Sequence, residues 1–409
     1  QKIVVLSAMS GTTNSLVEIA DYFYKNNESG ALERINALEQ KYEDVVEELY
    51  SKAASKSDAL ELIKRHFDYL RTFSKAVFTT FEEKAILAQG ELISSGMFQI
   101  YLEEQGESSV LLPALDYMRI DKNSEPDTAY IAENLAKQLE VNPGKTYYIT
   151  QGYICRNFYG EIDNLQRGGS DYTASLVGAA IKAAEIQIWT DIDGMHNNDP
   201  RFVEGTKPVP YLNFEEAAEL AYFGAKILHP TCILPAKLNN IPVRLLNTMD
   251  PKAPGTLISS KSNKSAIQAV AAKDGITAIK IKSGRMLLAY GFLRKVFEIF
   301  ESYQTPIDMV TTSEVGVSVT IDNTKNLKEI VDNLKKLGTV SVDENMVIIC
   351  VVGDLQPENV GFQSKAVQAL KDIPVRMVSY GGSNYNVSFL INADDKKAAL
   401  KALSASLFN

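Results

Sequence analysis

Short β-branched runs alternate with longer stretches of helical periodicity, and this alternation constrains the fold more than any other feature. Residues 2–6, a continuous β-branched run, and 186–190 predict buried strands, and 147–150 and 243–246 predict two further strands. The first is followed by a small polar turn at 7–14 and then by apolar residues at helical spacing. Strands that alternate with helices predict an α/β fold whose mainly parallel sheet lies between helix layers.

The pattern changes after Pro254-Gly255, where the segments become shorter. The polar stretch 259–265 predicts a linker. Beyond it, a β-α-β-β-α-β rhythm occurs about twice, which predicts two small ferredoxin-like α+β modules. The predicted segments there are strands near 276–282, 314–321, 346–352, 374–379 and 385–391, and helices near 292–302, 326–336, 361–371 and 394–406.

Composition excludes several functional classes. The 409 residues predict two or three domains, and the 42 basic against 51 acidic residues give a charge of −9 with no basic stripe, which argues against nucleic-acid binding. No run of 18 apolar residues exists that would predict a membrane partner. Cys155, Cys232 and Cys350 are far apart, which predicts buried thiols in a reducing compartment, the cytoplasm. Neither cysteine nor histidine spacing predicts a metal site.

The segment Arg167–Thr173 places two glycines before a predicted helix at 170–185. Free backbone N–H groups and the helix dipole at such a start favour an anion such as phosphate, and Arg167 adds a positive charge. Asp171 could hold a lysine or a metal beside a transferring phosphoryl group. A tight turn with Ser170 as N-cap explains the segment equally well.

A second polar segment, 189–201, follows a predicted strand at the position where ligands bind in open α/β sheets. Arg201 could grip phosphate oxygens through its forked guanidinium. Asp191 and Asp193 could suggest a metal loop, but no glutamate follows at EF-hand spacing. The alternative is an Asp/Asn/Gly turn between two elements.

Three further segments carry polar groups of interest. The hydroxyls of 7–13 could bind a small carboxylate or amine, although ordinary turn chemistry also explains them. Glu91 lies in a helical, alanine-rich stretch and could pair with an ammonium group, although a solvated helix glutamate is more frequent. The acids of 307–319 could bind a cationic amino acid, or this segment is a polar turn before a strand.

The order of these segments along essentially the whole chain resembles the aspartate kinase family. Two of them, Arg167–Thr173 and Phe223–Pro230, are together highly specific for that family. The series is Leu6-Ser7-Ala8, Gly90-Glu91, Arg167-Gly168-Gly169-Ser170-Asp171-Tyr172-Thr173, Thr190-Asp191, Asp199-Pro200-Arg201 and Phe223-Gly224-Ala225-Lys226-Ile227-Leu228-His229-Pro230.

The resemblance implies transfer of the ATP γ-phosphoryl group to the β-carboxylate of L-aspartate, with Mg²⁺ bridging the phosphates. It implies an amino-acid kinase domain at 1–260 and a regulatory region at 266–409 with two ACT domains. The first ACT domain is expected at about 282–345, and the second at about 266–281 plus 346–409. It also implies a homo-oligomer formed through the ACT domains and feedback inhibition by an amino acid, lysine or threonine.

The resemblance also assigns roles to individual residues. Asp171 and Arg167 are expected to be catalytic, with Asp171 organising the centre. The residues expected to hold aspartate are Ser7, Thr13, Glu91, Arg167 and Ser170. Those expected around ATP are Thr190, Asp191, His196, Arg201, Lys226 and Ile227. Those expected in the effector pocket are Met286, Tyr290, Gly291, Phe292, Leu293, Asp308, Ser313 and Glu314.

The chain departs from the family pattern at several positions. The family has an upstream strand with Lys-Phe-Gly-Gly-Thr, whose lysine stabilises the transferring phosphate, and we expect that segment to precede Gln1 because the fold would otherwise lose a central strand. Gln166 replaces a frequent glycine, and His196-Asn197 replaces an aromatic-hydroxyl pair. Tyr290 stands where a smaller hydroxyl residue is frequent.

Two alternatives stay open at this point. Another enzyme of the amino-acid kinase fold, such as a glutamate kinase, lacks the ACT pair and the segment 223–230. A catalytically inactive amino-acid sensor would use the ACT modules and keep the first domain as a scaffold.

Overall fold

The computed structural model describes residues 1–75, 77–165, 168–224, 228–261, 267–284, 286, 290–356 and 358–408. The chain forms two compact units. The first contains residues 1–188 and 231–243, and the second contains 189–230 and 244–409.

A three-stranded parallel sheet organises the first unit. Its order is β1-β3-β2, with Val4 of β1 paired to Ile149 of β3 and Leu111 of β2 paired to the same residue. The antiparallel hairpin β4-β5 follows. The strands are β1 (Lys2–Leu6), β2 (Ser109–Leu111), β3 (Tyr147–Gln151), β4 (Ile154–Arg156) and β5 (Ile162–Asn164), and the helices are α1 (Thr12–Tyr24), α2 (Glu28–Leu49), α3 (Ala53–Thr72), α4 (Thr80–Leu87), α5 (Gln89–Glu104), α6 (Thr128–Val141) and α7 (Gly169–Ala180).

Helices α1 to α5 enclose their own apolar core. Ile19, Ile35, Tyr42, Ile63 and Phe67 are each at most 1% exposed and belong to one cluster. Burial of side chains of this size stabilises a fold by about 1.5–3 kcal/mol each. This core holds α5 beside the end of β1, where the candidate site lies.

Helix α7 ends at Ala180, earlier than the predicted end at Glu185. Lys182 has a left-handed φ of 52°, and the Ala183 N–H donates to the Gly178 carbonyl at 2.9 Å. A left-handed residue of this kind closes a helix by satisfying its last carbonyls.

A four-stranded sheet of order β6-β8-β9-β7 follows α7. A capping box opens α8, since Asn213 and Glu216 each accept a 2.8 Å bond from the other's backbone N–H. These elements are β6 (Ile186–Thr190), β7 (Tyr211–Asn213), α8 (Phe214–Tyr222), α9 (Pro230–Leu238), β8 (Val243–Asn247) and β9 (Thr256–Ser259).

A six-stranded antiparallel sheet of order β11-β12-β10-β13-β15-β14 dominates the second unit. Two apolar clusters line it, one around Val296 and Ile330 and one around Phe389 and Leu400. Its elements are β10 (Ala269–Lys282), α10 (Phe292–Ser302), β11 (Val310–Ser313), β12 (Gly316–Ile321), α11 (Leu327–Leu334), β13 (Thr339–Val352), α12 (Phe362–Ala369), β14 (Val375–Tyr380), β15 (Asn386–Asn392) and α13 (Lys396–Leu407).

The long strands β10 and β13 are shared by both ACT-like modules. Residues 269–273 pair with 348–352, whereas 278–282 pair both with β12 and with the first part of β13, at 339–343. The register shifts near Gly275, whose φ of 75° bends the strand. The expected second module at 266–281 plus 346–409 stays a prediction, and residues 269–273 of β10 pair with 348–352 inside that range.

Candidate active site

The turn after β1 lies against the start of α5. A Cβ on Gly90 would come within 2.7 Å of the Ala8 Cβ, so only glycine permits this approach. The Ala8 N–H donates to Glu91 Oε1 at 3.3 Å, and the Ser94 hydroxyl donates to the Ser7 carbonyl at 2.7 Å. The sequence candidates Ser7 and Glu91 are thereby brought together.

Glu91 is a buried carboxyl group, not a solvated helix residue. It is 4% exposed, and its Oε2 has no hydrogen-bond partner among the described residues. Burial raises its pKa to about 7, and the Ala8 N–H opposes that shift. A buried carboxylate with one unsatisfied oxygen is suited to bind an ammonium group.

The start of α7 meets the same edge of the sheet. The Gly152 N–H, just after β3, donates to the Leu6 carbonyl at 2.8 Å, and a Cβ on Gly152 would lie 2.3 Å from the Ser170 hydroxyl oxygen. Ser7 therefore follows β1 directly, and Ser170 packs against Gly152 at the carboxyl end of the neighbouring strand β3.

Gly168, with φ of 85°, is the N-cap of α7 and makes no side-chain cap bond. The alternative in which Ser170 caps this helix is therefore wrong, because α7 begins at Gly169, one residue earlier. Burial raises the pKa of Asp171, in the first turn, to about 6.

The remaining residues expected to hold aspartate are Thr13 and Arg167. Thr13 is exposed in the first turn of α1. Arg167 lies outside the described residues.

The expected nucleotide residues of the second unit follow β6. The Thr190 hydroxyl donates to Asp191 Oδ1 at 3.2 Å and accepts a bond from the Ile192 N–H at 3.3 Å. Arg201 makes a forked pair with Asp199, with Nε to Oδ1 at 2.9 Å and Nη2 to Oδ2 at 2.6 Å. Lys226 and Ile227 lie outside the described residues.

Both ring nitrogens of His196 are engaged inside this segment. Nδ1 lies 2.9 Å from the Thr206 hydroxyl, and Nε2 lies 2.7 Å from Asp193 Oδ1. His196 therefore closes the loop between residues 193 and 206, a role that its position in the sequence did not indicate.

The expected effector residues fall into separate environments. Met286 and Leu293 are half-buried and pack with buried Phe292 on the core of the first module, where Gly291 caps α10. Tyr290, Ser313 and Glu314 are exposed.

Asp308 is the one effector candidate in an ion pair. Its side chain is 2% exposed, and it accepts bonds from Lys273 Nζ at 2.5 Å and from the Tyr222 hydroxyl at 2.7 Å. Sequence reasoning missed both partners, although Tyr222 directly precedes the segment 223–230. Asp308 also lines a cavity of about 280 Å³, together with Glu219, Tyr222, Phe223, Met309, Ser379, Gly382, Ser383, Asn386 and Ser388.

The described residues contain neither a candidate metal site nor a candidate membrane-spanning helix. No three His, Cys, Asp or Glu side chains among them converge on a point that could hold a metal ion. No helix within the described ranges is both long and apolar enough to cross a membrane.

Comparisons with known proteins identify the family. The model of the amino acid kinase family matches residues 1–247, and an ACT domain model matches 349–407. The chain is 32% identical to the lysine-sensitive aspartokinase 3 of Escherichia coli, over 100% of this chain and 92% of that protein. This chain belongs to the aspartokinase family. It is also 33% identical to the chloroplastic aspartokinase 1 of Arabidopsis thaliana, over 99% of this chain and 74% of that protein.

The fold comparison agrees with this assignment. The crystal structure of E. coli aspartokinase III with aspartate and ADP matches with a TM-score of 0.85 at 32% identity, covering 100% of this chain and 93% of that one. The same enzyme with lysine and aspartate matches with a TM-score of 0.79 and the same coverage. The predictions of an aspartate kinase, of the amino-acid kinase fold and of a regulatory ACT region are confirmed.

Proposed function

We propose that this chain transfers the γ-phosphoryl group of ATP to the β-carboxylate of L-aspartate. A β-carboxylate oxygen attacks the γ-phosphorus, the bond from that phosphorus to the β,γ-bridging oxygen breaks, and ADP leaves with the electron pair. The product is 4-phospho-L-aspartate. The observation that carries the proposal is the buried Glu91 carboxylate, whose Oε2 has no partner among the described residues beside the turn after β1.

Each aspartate-side residue has one task in this proposal. Glu91 binds the substrate ammonium, and Arg167 binds a carboxylate in a forked geometry. The hydroxyls of Ser7, Thr13 and Ser170 orient the substrate. Asp171 organises the catalytic centre. Burial raises its pKa to about 6, and a bound cation would favour its ionised form.

On the nucleotide side, Thr190, Asp191, Arg201, Lys226 and Ile227 surround ATP in this proposal. Arg201 would turn part of its guanidinium to the phosphates while Asp199 holds the rest. His196, whose two ring nitrogens already have partners, shapes the loop that carries Arg201.

Mg²⁺ would enter with ATP and offset the charge repulsion between the phosphates and the acceptor carboxylate. Because the described residues offer no cluster of three ligands, the phosphates would supply most of its oxygen ligands. Asp171 is the protein carboxylate proposed to complete the set.

We also propose that the ACT region inhibits the enzyme when an amino acid, lysine in the first place, binds to it, and that subunits associate through this region. The lysine complex of the E. coli relative supports this choice. We propose domain limits of 1–260 and 266–409, with the two ACT modules sharing β10 and β13. The buried state of all three cysteines supports a reducing, cytoplasmic location.

The test uses the purified protein with ATP, Mg²⁺ and L-aspartate, and traps the acyl phosphate with hydroxylamine. We expect hydroxamate that depends on aspartate and decreases when lysine is added. L-Glutamate in place of aspartate is the matched control, because it would be the acceptor if the enzyme were a glutamate kinase. No hydroxamate with either acid, combined with lysine binding, would contradict the proposal and favour an amino-acid sensor.

A further inference from the structure

The loop that carries Arg201 and His196, two of the proposed ATP residues, lies on the second regulatory module. We define the nucleotide loop as residues 195–208 and the second module as residues 269–273 and 346–408. Val203 of the loop is 7% exposed and belongs to the same apolar cluster as Val351, Phe389 and Leu400. The core of the module is therefore completed by a side chain from the nucleotide loop.

Asn198 joins the two parts through hydrogen bonds. It is 2% exposed, its Nδ2 donates to the Leu400 carbonyl at 3.0 Å, and its Oδ1 accepts a bond from the Asp199 N–H at 2.8 Å. Asparagine suits this position because one end of its amide donates and the other accepts. A side chain without the donor would leave the Leu400 carbonyl without this bond in a buried site.

Further contacts hold the loop in the same place. The Val270 N–H of β10 donates to the Asn197 carbonyl at 2.9 Å. The Phe202 ring lies 4.3 Å from Lys396 Nζ on α13, and that ammonium is also 2.7 Å from an Asp274 oxygen. The loop is thus bonded both to the first strand and to the last helix of the module.

The connection continues to the proposed phosphate contact. The Asp199 N–H donates to the Asn198 side chain, and both carboxylate oxygens of Asp199 accept hydrogen bonds from Arg201. We propose that Asn198 is a positioning residue for ATP, which fixes the Asp199–Arg201 pair on the second regulatory module. The state of that module then sets the affinity for ATP more than that for aspartate. This inference rests on the proposed ATP role of Arg201.

The test compares Asn198→Asp and Asn198→Ser with the unchanged enzyme. Aspartate is isosteric but has no donor for Leu400, and serine is too short to reach that carbonyl. We expect both variants to raise KM for ATP about five- to tenfold, with kcat and KM for aspartate within twofold. Asn134→Asp is the matched control, because the Asn134 amide also donates to a backbone carbonyl, that of Tyr130, at 2.8 Å on α6.

A merely structural role would lower the melting temperature without separating the two KM values, and that result would overturn the inference. Equal increases in both KM values would overturn it as well. Loss of aspartate-dependent hydroxamate from the unchanged enzyme would instead contradict the proposed function, so the two failures are distinguishable.

Hydrogen exchange on the unchanged enzyme covers the case in which both variants fail to fold. We expect ADP to slow exchange of the Val270 amide as well as the amides of 199–203, and to leave α6 unaffected. Protection of 199–203 without any change at Val270 would show that the module does not hold the loop.

Discussion

At the residue scale, Glu91 and Glu104 show how one helix can hold two carboxylates with opposite shifts. Both lie on α5, yet burial raises the pKa of Glu91 to about 7, whereas hydrogen bonds, first from the backbone of Ser51, lower the pKa of Glu104 to about 2. The folded environment therefore disfavours the ionised form of Glu91 and favours the ionised form of Glu104.

The Glu91 shift predicts how stability depends on pH. The folded protein binds this proton more tightly than the unfolded chain, so the free energy of unfolding falls as pH rises from about 4.5 to about 7. Glu91→Gln should therefore raise the free energy of unfolding by roughly 1–3 kcal/mol at pH 8 and leave it unchanged at pH 4. Urea unfolding at both pH values measures this.

The same substitution should raise KM for aspartate at least tenfold, because the ammonium loses its carboxylate partner. Glu104→Gln is the matched control and should lower stability at pH 7 with no change in KM. A Glu91→Gln variant that is less stable at pH 8, or that binds aspartate normally, would contradict the proposed role.

At the element scale, the prediction from sequence succeeded where local chemistry decides the structure. The predicted helix 292–302 matches α10. The sequence pattern predicted only the part of strand β10 near 276–282. The extension of β10 to Ala269 depends on pairing with residues that lie far along the chain.

The candidate site was predictable as a set of motifs but not as a set of contacts. The order of the motifs suggested Ser7, Glu91 and Ser170 as candidates, whereas no local signal marked Lys273 as the partner of Asp308. Such partners come from tertiary packing, which a single sequence does not encode at a recognisable spacing.

The approach of β3 to α7 gives a prediction at this scale. Gly152→Ala would place a Cβ 2.7 Å from the Ser170 Cα, a backbone atom that cannot yield without moving the helix start. We expect a loss of about 1–3 kcal/mol in unfolding free energy and a rise in KM for aspartate. Gly382→Ala is the control, because nothing lies within 4 Å of its added Cβ. Equal thermal stability of the two variants would contradict this packing.

At the scale of the whole molecule, the residues proposed to bind aspartate, ATP and the effector are divided between the two compact units. The described aspartate candidates Ser7, Thr13, Glu91 and Ser170 belong to the first unit. The effector candidate Asp308 and the proposed nucleotide residue Arg201 belong to the second. Each unit also has apolar clusters of its own, which is the condition for separate unfolding.

This division predicts two thermal transitions that respond to different ligands. A ligand at about 100 times its Kd stabilises the unit that binds it by about 2.7 kcal/mol, which corresponds to several degrees for a unit of this size. Aspartate should raise the transition of the first unit, and lysine that of the second. Calorimetry with each amino acid measures both, with D-aspartate and D-lysine as matched controls. If lysine raised only the transition that aspartate raises, the effector site would belong to the first unit, and the assignment of Asp308 to it would be wrong.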